Sequence, residues 1–393
     1  MIGSCVAEGR SIRIRGGGTK SHGLPEADML LSTGGLRGIR AYARDDLYVT
    51  VGTGTPLGEL QGELARDRMW VPLVAPWLES TVGGIVATNW NAPLRMRYGG
   101  VRDLVLAVTV ALPDRRVIRA GRPVVKNVAG YDLPKVFLGA YGTLGLIADV
   151  TLKLAPLPRA RASLIAPVED IGRGLEWGVQ LLQLCLNASA LLLIRSTTND
   201  QPPATGAFDW SSVVSRRSSA LIYTAEGSPE DVRAELAEVH SALQIHGASE
   251  IIEVETPSGS DIWAGWLAAA PSDVSGSQNA ITLRVGTAPR DLPDVLRMIM
   301  MAGDAQNGDA VPDWSFVADL ANGLIYLRGV GDVAAVRRSA HAVEGYAIVL
   351  PLANAPQIAF DVWGHIPDSL DLMHALRKRW GAGGLLNPGV FLV

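Results

Sequence analysis

Glycine-rich segments near the N-terminus place the strongest constraint on what this chain can fold into. More than half of the 43 glycines in the 393-residue sequence lie within its first 150 residues. Glycine loses more backbone freedom on folding than any other residue, so such clustering needs a reason, and close approach of the backbone to a ligand is one. Each of four clusters lies at the end of a predicted strand or helix. This arrangement favours one extended, phosphate-bearing ligand.

The first cluster, Gly16–Gly18, follows a short alternating strand predicted over Ser11–Arg15 and leads into Thr19 and Lys20. Three successive glycines let neighbouring backbone N–H groups point toward one place, a concavity suited to an anion such as pyrophosphate. Taken alone, the segment is explained equally well by a plain turn. It lacks the spacer and the GK[ST] ending of a Walker loop.

The second cluster, Gly52–Gly58, follows a strand predicted over Leu47–Gly52 and opens a helix, as dinucleotide-binding loops do. Its third glycine comes one position too late for GxGxxG, and Pro56 removes an N–H group near the presumed anion site. We therefore interpret this segment as a tight strand-to-helix turn. In that interpretation Thr55 is the helix N-cap and Pro56 is the first helical residue.

The third cluster is Pro76–Asn89, followed by Tyr98–Asp103, and the fourth is Lys126–Asp132, which runs on to Ala140–Ile147. The order GGGT, P-x4-TVGG, YGGVRD, KNVAGYD and GTLGLI resembles the FAD-binding domain of the p-cresol methylhydroxylase and vanillyl-alcohol oxidase type. The match covers residues 11–154 almost continuously. The KNVAGYD and YGTLG signatures, with the LNPG tail, resemble in particular the small flavin subunits of bacterial glycolate oxidases.

This resemblance implies that FAD lies extended between two α/β subdomains, with backbone amides of the glycine loops around its pyrophosphate. The residues carried over by position are Gly16, Gly17, Gly18 and Thr19 on one wall, Pro76, Thr81, Val82, Gly83, Gly84 and Thr88 on the other, then Gly99 and Asp103, and finally Gly142, Gly145 and Ile147 on the adenine–ribose side.

Two expectations follow from this placement. Thr19 stands where relatives that attach flavin covalently often carry histidine, so we expect FAD to be bound non-covalently, with His22 on a surface loop. A branched side chain in Gly83→Val is expected to occupy the place of the pyrophosphate and to remove flavin while sparing the fold.

The fold class that follows is α+β. We expect a two-subdomain FAD-binding domain over residues 1–157, a cap domain over 158–366, and a C-terminal helix and tail over 367–393 that return to the flavin domain. In the cap, helices alternate with strands, as in two helices packed on one face of an antiparallel sheet, present once or in duplicate. The predicted helices are 169–187, 229–246, 289–302 and 332–343, and the predicted strands are 189–195, 219–225, 280–286, 324–329 and 346–350.

Candidate catalytic residues come from the cap. Arg195, Arg284 and Arg328 end three predicted strands, and if these strands share a sheet the arginines can converge on a carboxylate. Ordinary salt bridges at the sheet edge explain them better. His365, in VWGHIP, is a candidate near the flavin, with core packing as the simpler interpretation. The sequence has no GDGN-x-H-type motif, which catalytic subunits that oxidise D-2-hydroxy acids carry, so the catalytic residues stay unassigned.

Composition excludes several classes of function. The net charge of −4 is spread over interspersed acids and bases, which argues against nucleic-acid binding. The only cysteines, Cys5 and Cys185, cannot hold an iron–sulfur cluster, which needs about four ligands. The histidines show no metal-binding spacing. The longest apolar stretch, near Leu181–Ile194, is interrupted by polar residues and falls short of the about 20 residues that span a bilayer.

Three functions remain open. The first is the flavin subunit of a glycolate-oxidase-like complex, cytoplasmic or held at a membrane by a partner, working in glycolate catabolism. It would act beside a catalytic flavin subunit and an iron–sulfur subunit on a small hydroxy-acid substrate. The second is a self-sufficient FAD-dependent hydroxy-acid dehydrogenase or oxidase. The third is a non-catalytic flavin-domain subunit that only assembles the complex.

Overall fold

The protein is described from a computed structural model. The structure describes residues 2–20, 26–123, 131–195, 219–269, 280–301, 314–350, 361–380 and 382–390. The chain divides into two compact units. The first contains Met1–Asn91, Tyr98–Leu157 and Ile366–Val393, and the second contains Ala92–Arg97 and Pro158–His365. Both units combine helices with sheets, which confirms the predicted α+β class.

The first unit is built on a five-stranded sheet in the order β3-β4-β8-β6-β7, with antiparallel neighbours. The strands of the first 157 residues are β1 (Ile12–Arg15), β2 (Met29–Ser32), β3 (Ile39–Ala43), β4 (Tyr48–Gly52), β5 (Met69–Trp70), β6 (Val105–Ala111), β7 (Val117–Gly121), β8 (Leu146–Lys153) and β9 (Ala155–Pro156). The helices there are α1 (Ile2–Ala7), α2 (Leu57–Ala65), α3 (Val82–Thr88), α4 (Arg95–Tyr98), α5 (Val101–Leu104) and α6 (Pro134–Phe137).

The turn from β4 to α2 follows the sequence pattern, with one difference. Leu57, Leu60 and Leu64 are buried on one face of α2, as their helical spacing requires. The N-cap is Pro56, and its helix begins at Leu57. The predicted N-cap was therefore wrong: the Thr55 hydroxyl donates back to the Gly52 carbonyl at 2.7 Å and closes the turn instead.

The end of the chain pairs with its beginning. Strands β1 and β2 form a parallel pair, and Leu386 makes a parallel bridge with Ile12 on the other side of β1. The Ile12 N–H donates to the Leu385 carbonyl at 2.7 Å, and the Asn387 N–H donates to the Ile12 carbonyl at 2.8 Å. Leu386 is fully buried in a small core with Ile2 and Cys5. Before this tail come the helix Leu370–Trp380 and the 3-10 turn Ala382–Gly384.

The second unit contains an eight-stranded antiparallel sheet in the order β13-β10-β12-β11-β15-β16-β14-β17. Its strands are β10 (Ala160–Val168), β11 (Ala188–Arg195), β12 (Ser219–Gly227), β13 (Ile252–Val254), β14 (Ile281–Gly286), β15 (Ser315–Asp319), β16 (Leu324–Gly329) and β17 (Tyr346–Val349). The helices are α7 (Ile171–Leu181), α8 (Pro229–Ile245), α9 (Gly259–Ala268), α10 (Leu292–Met301), which follows the 3-10 turn Pro289–Asp291, and α11 (Val333–His341).

The duplication left open by the sequence is present in the topology. One β-α-β-β-α-β motif runs from β10 to β13 and a second runs from β14 to β17, and they join through the β11–β15 pair. Apolar residues of α7, α8, α10 and α11 bury one face of the sheet in a single core. The predicted helix 169–187 was too long, because α7 ends at Leu181. Strands β10, β13 and β15 and helix α9 were not predicted.

Candidate functional site

Three glycine-bearing segments and the C-terminal tail meet around one cavity in the first unit. The cavity is lined by Arg13–Lys20, Thr33, Thr53, Thr81, Gly83, Gly84, Ala87, Thr88, Tyr141, Gly142, Gly145–Ile147, Asn387 and Val390. Residues separated by more than 370 positions in sequence therefore share one concave surface. We call Gly16–Thr19 the first wall and Thr81–Thr88 the second wall.

Gly16 and Gly17 are required by the close approach of the segment Glu79–Thr81, and Gly18 by its backbone conformation. A Cβ atom on Gly16 would collide with the Thr81 hydroxyl, and a Cβ atom on Gly17 would collide with the Glu79 carbonyl oxygen. Gly18 has a φ of 76°, in the left-handed region that favours glycine. The loop can approach its neighbour this closely only because these positions have no side chains.

The first wall also contains backbone donors at the cavity. Along the edge of β1 that faces the tail, the Ile12 N–H donates to Leu385 and the Ile14 N–H donates to the Asn387 side chain at 2.7 Å. Gly16 is the next residue in this alternating row. Among the described residues, no group accepts a hydrogen bond from the N–H of Gly16 or of Gly17. These two amides are therefore suited to donate to anionic oxygens of a ligand.

The donors of the second wall are used within the protein. The N–H groups of Val82 and Gly83 donate to the carbonyls of Thr55 and Thr53, each at 2.9 Å. The Gly84 N–H donates to the hydroxyl of Thr81, the N-cap of α3, at 3.2 Å. The start of α3 is thus fixed on the turn that follows β4.

Gly83 and Gly84 have opposite surroundings. A Cβ atom on Gly83 would lie 2.5 Å from the Thr53 Cβ and 2.8 Å from the Thr53 carbonyl oxygen. The expectation that Gly83→Val places its side chain in the pyrophosphate site was therefore wrong, since the branched side chain would be driven into the β4–α2 turn. A Cβ atom on Gly84 would meet only the Thr81 hydroxyl, at 3.3 Å, and would otherwise enter the cavity.

The remaining sides of the cavity come from Tyr141–Ile147 and the tail. The Asn387 side chain donates to the Tyr141 carbonyl at 2.6 Å while it accepts from Ile14. A Cβ atom on Gly142 would lie 2.6 Å from the Asn387 amide nitrogen, and φ at Gly142 is 71°. The Ile147 carbonyl accepts from the buried Thr53 hydroxyl at 2.7 Å. Asn387 therefore joins three segments that are distant in sequence.

The electrostatics of the cavity favour an anion. Among the described residues, its lining includes Arg13, Arg15 and Lys20 and no Asp or Glu residue. Burial lowers the pKa of Lys20 to about 8, because the apolar surroundings disfavour the charged form. Burial also lowers the pKa of Arg13, whose guanidinium donates to the Pro388 carbonyl at 2.9 Å. A diphosphate with two negative charges fits this donor set and this charge.

Most of the predicted site residues line the cavity, and four do not. Pro76, Val82, Gly99 and Asp103 lie outside its lining. Val82 is fully buried. The Asp103 carboxylate accepts from the Gly100 N–H at 2.9 Å and caps α5, which gives it a structural role. His22 and residues 126–130, which are most of the KNVAGYD motif, lie outside the described residues.

Several lining residues were not among the predicted site residues. They are Arg13, Ile14, Arg15, Lys20, Thr33, Thr53, Ala87, Tyr141, Leu146, Asn387 and Val390. Tyr141, Leu146 and Asn387 stand inside quoted motifs, and Lys20 directly follows the GGGT motif, so membership of a motif or position next to one was an available signal. Thr53 belongs to the turn after β4, which we did not interpret as a dinucleotide-binding loop. It lines the cavity, and its carbonyl accepts from the Gly83 N–H at the start of α3.

The three candidate arginines of the second unit do not share one face of the sheet. Arg284 pairs with Tyr326, and Arg328 pairs with Thr282, which places both arginines on the same face. Arg195 pairs with Phe316, a residue of the helix-covered core, so it lies on the opposite face. Arg328 is 1% exposed, and its guanidinium carbon lies 4.3 Å from the Trp266 ring centroid. The His365 ring lies 6.2 Å from that of His341.

The part of the chain that the structure describes contains no metal-binding cluster and no membrane-spanning helix. Within the described ranges, no three His, Cys, Asp or Glu side chains are grouped so that they could share a metal ion. Each helix in the described part of the chain is too short or too polar to cross a bilayer.

Comparison with known proteins identifies the N-terminal region. Residues 1–121 match a family model described as an FAD binding domain. The chain is 33% identical over 190 residues to the glycolate oxidase subunit GlcE of Escherichia coli (strain K12), a match that covers 47% of this chain and 54% of that protein. It is 28% identical over 241 residues to a D-lactate dehydrogenase of Anaerostipes hadrus, covering 60% of this chain and 51% of that one. The chain thus spans about half the length of these curated relatives.

Solved structures extend the likeness to the whole fold. The structure of p-cresol methylhydroxylase with substrate bound matches with a TM-score of 0.73 and 13% identity, over 99% of this chain and 85% of that chain. A structure of alkyldihydroxyacetonephosphate synthase matches with a TM-score of 0.68 and 14% identity, over 99% and 74%. At these identities the likeness shows the fold alone. The fold predicted from the motifs is confirmed, and residues 1–121 match the model of an FAD binding domain.

Proposed function

We propose that this chain is an FAD-binding oxidoreductase subunit that takes part in oxidising a small 2-hydroxy acid within a glycolate-oxidase-like complex. The observation that carries the proposal is the cavity of the first unit. Its described lining combines two backbone donors without a protein acceptor, three basic residues and no acidic residue. The names of the relatives, a glycolate oxidase subunit and a D-lactate dehydrogenase, indicate the class of substrate.

The residues of the cavity have separate roles in this proposal. The N–H groups of Gly16 and Gly17 donate to diphosphate oxygens, and the half-buried Thr19 hydroxyl, 3.3 Å from the Ser80 hydroxyl, adds a polar contact at the end of the loop. The segment Tyr141–Ile147 forms the adenine–ribose side. The bound flavin supplies the capacity to accept a hydride and pass on electrons.

Electron transfer out of this subunit requires partners. Cys5 is buried against Met29, and burial raises the pKa of the Cys185 thiol to about 11, so neither thiol is suited to ligate a cluster. We propose that an iron–sulfur subunit and a catalytic flavin subunit complete the complex. The complex is placed in the cytoplasm, or at a membrane through one of these partners.

A self-sufficient hydroxy-acid dehydrogenase is the second candidate. Arg284 and Arg328 share one face of the sheet in the second unit, and a pair of guanidinium groups is suited to a substrate carboxylate. A third candidate is a subunit that only assembles the complex. The intact glycine loops are consistent with it, because Gly16 and Gly17 are also required for packing. Flavin binding and turnover separate the three.

The deciding experiment is a comparison of flavin content and turnover. The purified chain, alone and co-expressed with the neighbouring genes, is measured for its visible flavin spectrum and for reduction of an artificial acceptor by glycolate and D-lactate. The proposal predicts bound FAD in both preparations and turnover only in the complex. Turnover by the chain alone would favour the second candidate. A folded chain that takes up no FAD in either preparation would contradict the proposal.

A further inference from the structure

Lys20 has surroundings that differ from those of the other basic residues at the cavity. Its Nζ lies 3.2 Å from the Thr19 hydroxyl oxygen. The same nitrogen lies 5.4 Å from the Trp77 ring centroid and 5.7 Å from that of Trp90. The two indole rings are 5.5 Å apart and tilted by 56°. The ammonium group is thus held against two aromatic faces at the end of the first wall.

The described residues supply no carboxylate partner for this ammonium. Lys20 takes part in none of the ion pairs of the described residues. The charged side chains on the neighbouring segments are Arg13 and Arg15 of β1, which are also cationic, and Glu79, which precedes the second wall and makes no ion pair with Lys20. The residues that line the cavity with Lys20 are otherwise neutral. An anionic oxygen of a bound ligand would balance this charge.

We propose that the Lys20 ammonium pairs with a diphosphate oxygen of the nucleotide that the cavity binds, and that it does more than pack its alkyl chain on the two tryptophans. This inference rests on the proposed function for the identity of the ligand, FAD. It adds a charged contact from a side chain to the backbone donors of Gly16 and Gly17. The alternative is a purely structural lysine whose methylene groups cover the indole rings.

A dependence of binding on pH follows from this pairing. Burial holds the pKa of Lys20 at about 8 in the ligand-free protein. A diphosphate beside the ammonium favours the charged form and raises that pKa. At pH 7 and below Lys20 is mostly charged, so the affinity is nearly constant. Above pH 8 binding must take up a proton, so the dissociation constant rises by up to about tenfold per pH unit until the pKa of the complex is reached.

The test uses Lys20→Met and Lys20→Arg in the full chain, with FAD and ADP as probes that share the diphosphate. Dissociation constants are measured from tryptophan fluorescence between pH 7 and 10. Proton uptake is measured by calorimetry in two buffers of different ionisation enthalpy. Lys20→Met keeps the length of the side chain without its charge, and Lys20→Arg keeps the charge at every pH used. Circular dichroism confirms that each variant is folded.

We expect wild-type protein to take up close to one proton per bound ligand at pH 9 and almost none at pH 7, with either probe. Lys20→Met should bind both probes about 10- to 100-fold more weakly at pH 7, as for a lost hydrogen bond to a charged group, and should take up no proton. Lys20→Arg should bind both probes without the fall in affinity that the wild-type protein shows above pH 8. If Lys20→Met fails to fold, the comparison of Lys20→Arg with wild type decides.

Several outcomes would overturn the inference. Unchanged affinity and unchanged proton uptake in Lys20→Met would make the lysine structural. Weaker binding of FAD with unchanged binding of ADP would place Lys20 against the flavin part of the molecule. If the wild-type protein binds ADP in a Lys20-dependent way but does not bind FAD, the proposed function fails while the diphosphate contact stands. Binding of neither probe would overturn both.

Discussion

The two walls that face each other across the cavity share a glycine-rich sequence and use it differently. In the first wall, the N–H groups of Gly16 and Gly17 have no acceptor among the described residues. In the second wall, the N–H groups of Val82, Gly83 and Gly84 are bonded within the protein. The first wall is thus suited to hold a ligand, whereas the second positions α3 on the β4–α2 turn. Glycine enrichment alone does not distinguish a ligand contact from a close packing contact.

The difference between Gly83 and Gly84 gives the largest predicted effect on stability. Gly83→Val should lower the free energy of unfolding by about 3 kcal/mol, because its side chain is forced against the Thr53 backbone. Chemical denaturation of the FAD-free variant measures this loss. A stable Gly83→Val protein without flavin would restore the original interpretation of this loop as a ligand contact.

Gly84→Val should have the complementary effect. Its side chain enters the cavity, so FAD affinity should fall about 100-fold, equivalent to about 2.7 kcal/mol, while the stability of the FAD-free protein stays within about 0.5 kcal/mol of wild type. Flavin retained after gel filtration and denaturation curves provide the two readouts. Gly62→Val on α2, where a Cβ atom meets nothing within 4 Å, is the matched control and should bind FAD normally.

A third prediction concerns the tail that joins the first wall to Tyr141. Asn387→Ala removes hydrogen bonds to Ile14 and Tyr141 and should cost about 2 kcal/mol of stability. Asn387→Gly loses the same bonds but tolerates the φ of 45° at this position, so it should be about 1 kcal/mol more stable than the alanine variant. Equal stability of wild type and both variants would show that the tail does not support the site.

Thr53→Val should have the smallest effect. It removes the donor to the Ile147 carbonyl at almost constant volume, so we expect a loss of about 1 kcal/mol of stability with FAD affinity within about threefold of wild type. Thermal unfolding and an FAD titration measure the two quantities. A large loss of FAD affinity without a loss of stability would assign Thr53 to ligand binding rather than to support of the second wall.

The sequence predicted many of the residues that line the cavity, but it did not predict the long-range contacts that fix their roles. The loop Gly16–Thr19 and the residues Thr81, Gly84 and Thr88 line the cavity where the motifs placed them. The role of Gly83 depends on its contact with Thr53, some 30 residues earlier, and no local pattern contains that contact. Asn387 was quoted as part of a motif, but its bonds to Ile14 and Tyr141 exist only once the tail has paired with β1.

In the second unit, too, local sequence patterns predicted individual helices and strands but not the contacts between strands. Helices α8 and α11 and strand β16 were predicted closely, because apolar periodicity over ten or more residues, or a short apolar strand bounded by turns, is a local signal. The face on which an arginine lies depends on strand register. Arg195 therefore lies opposite Arg284 and Arg328, although all three arginines stand at similar places in their strand sequences.

Amide hydrogen exchange on the full chain tests the central claim most directly. The claim is that FAD is held by the backbone N–H groups of the first wall. With FAD added, peptides that contain Gly16–Thr19 should exchange more slowly, whereas Val82 and Gly83, already bonded to Thr55 and Thr53, should change little. Bound FAD with no slowing in the first wall, or with slowing confined to the second wall, would contradict the account.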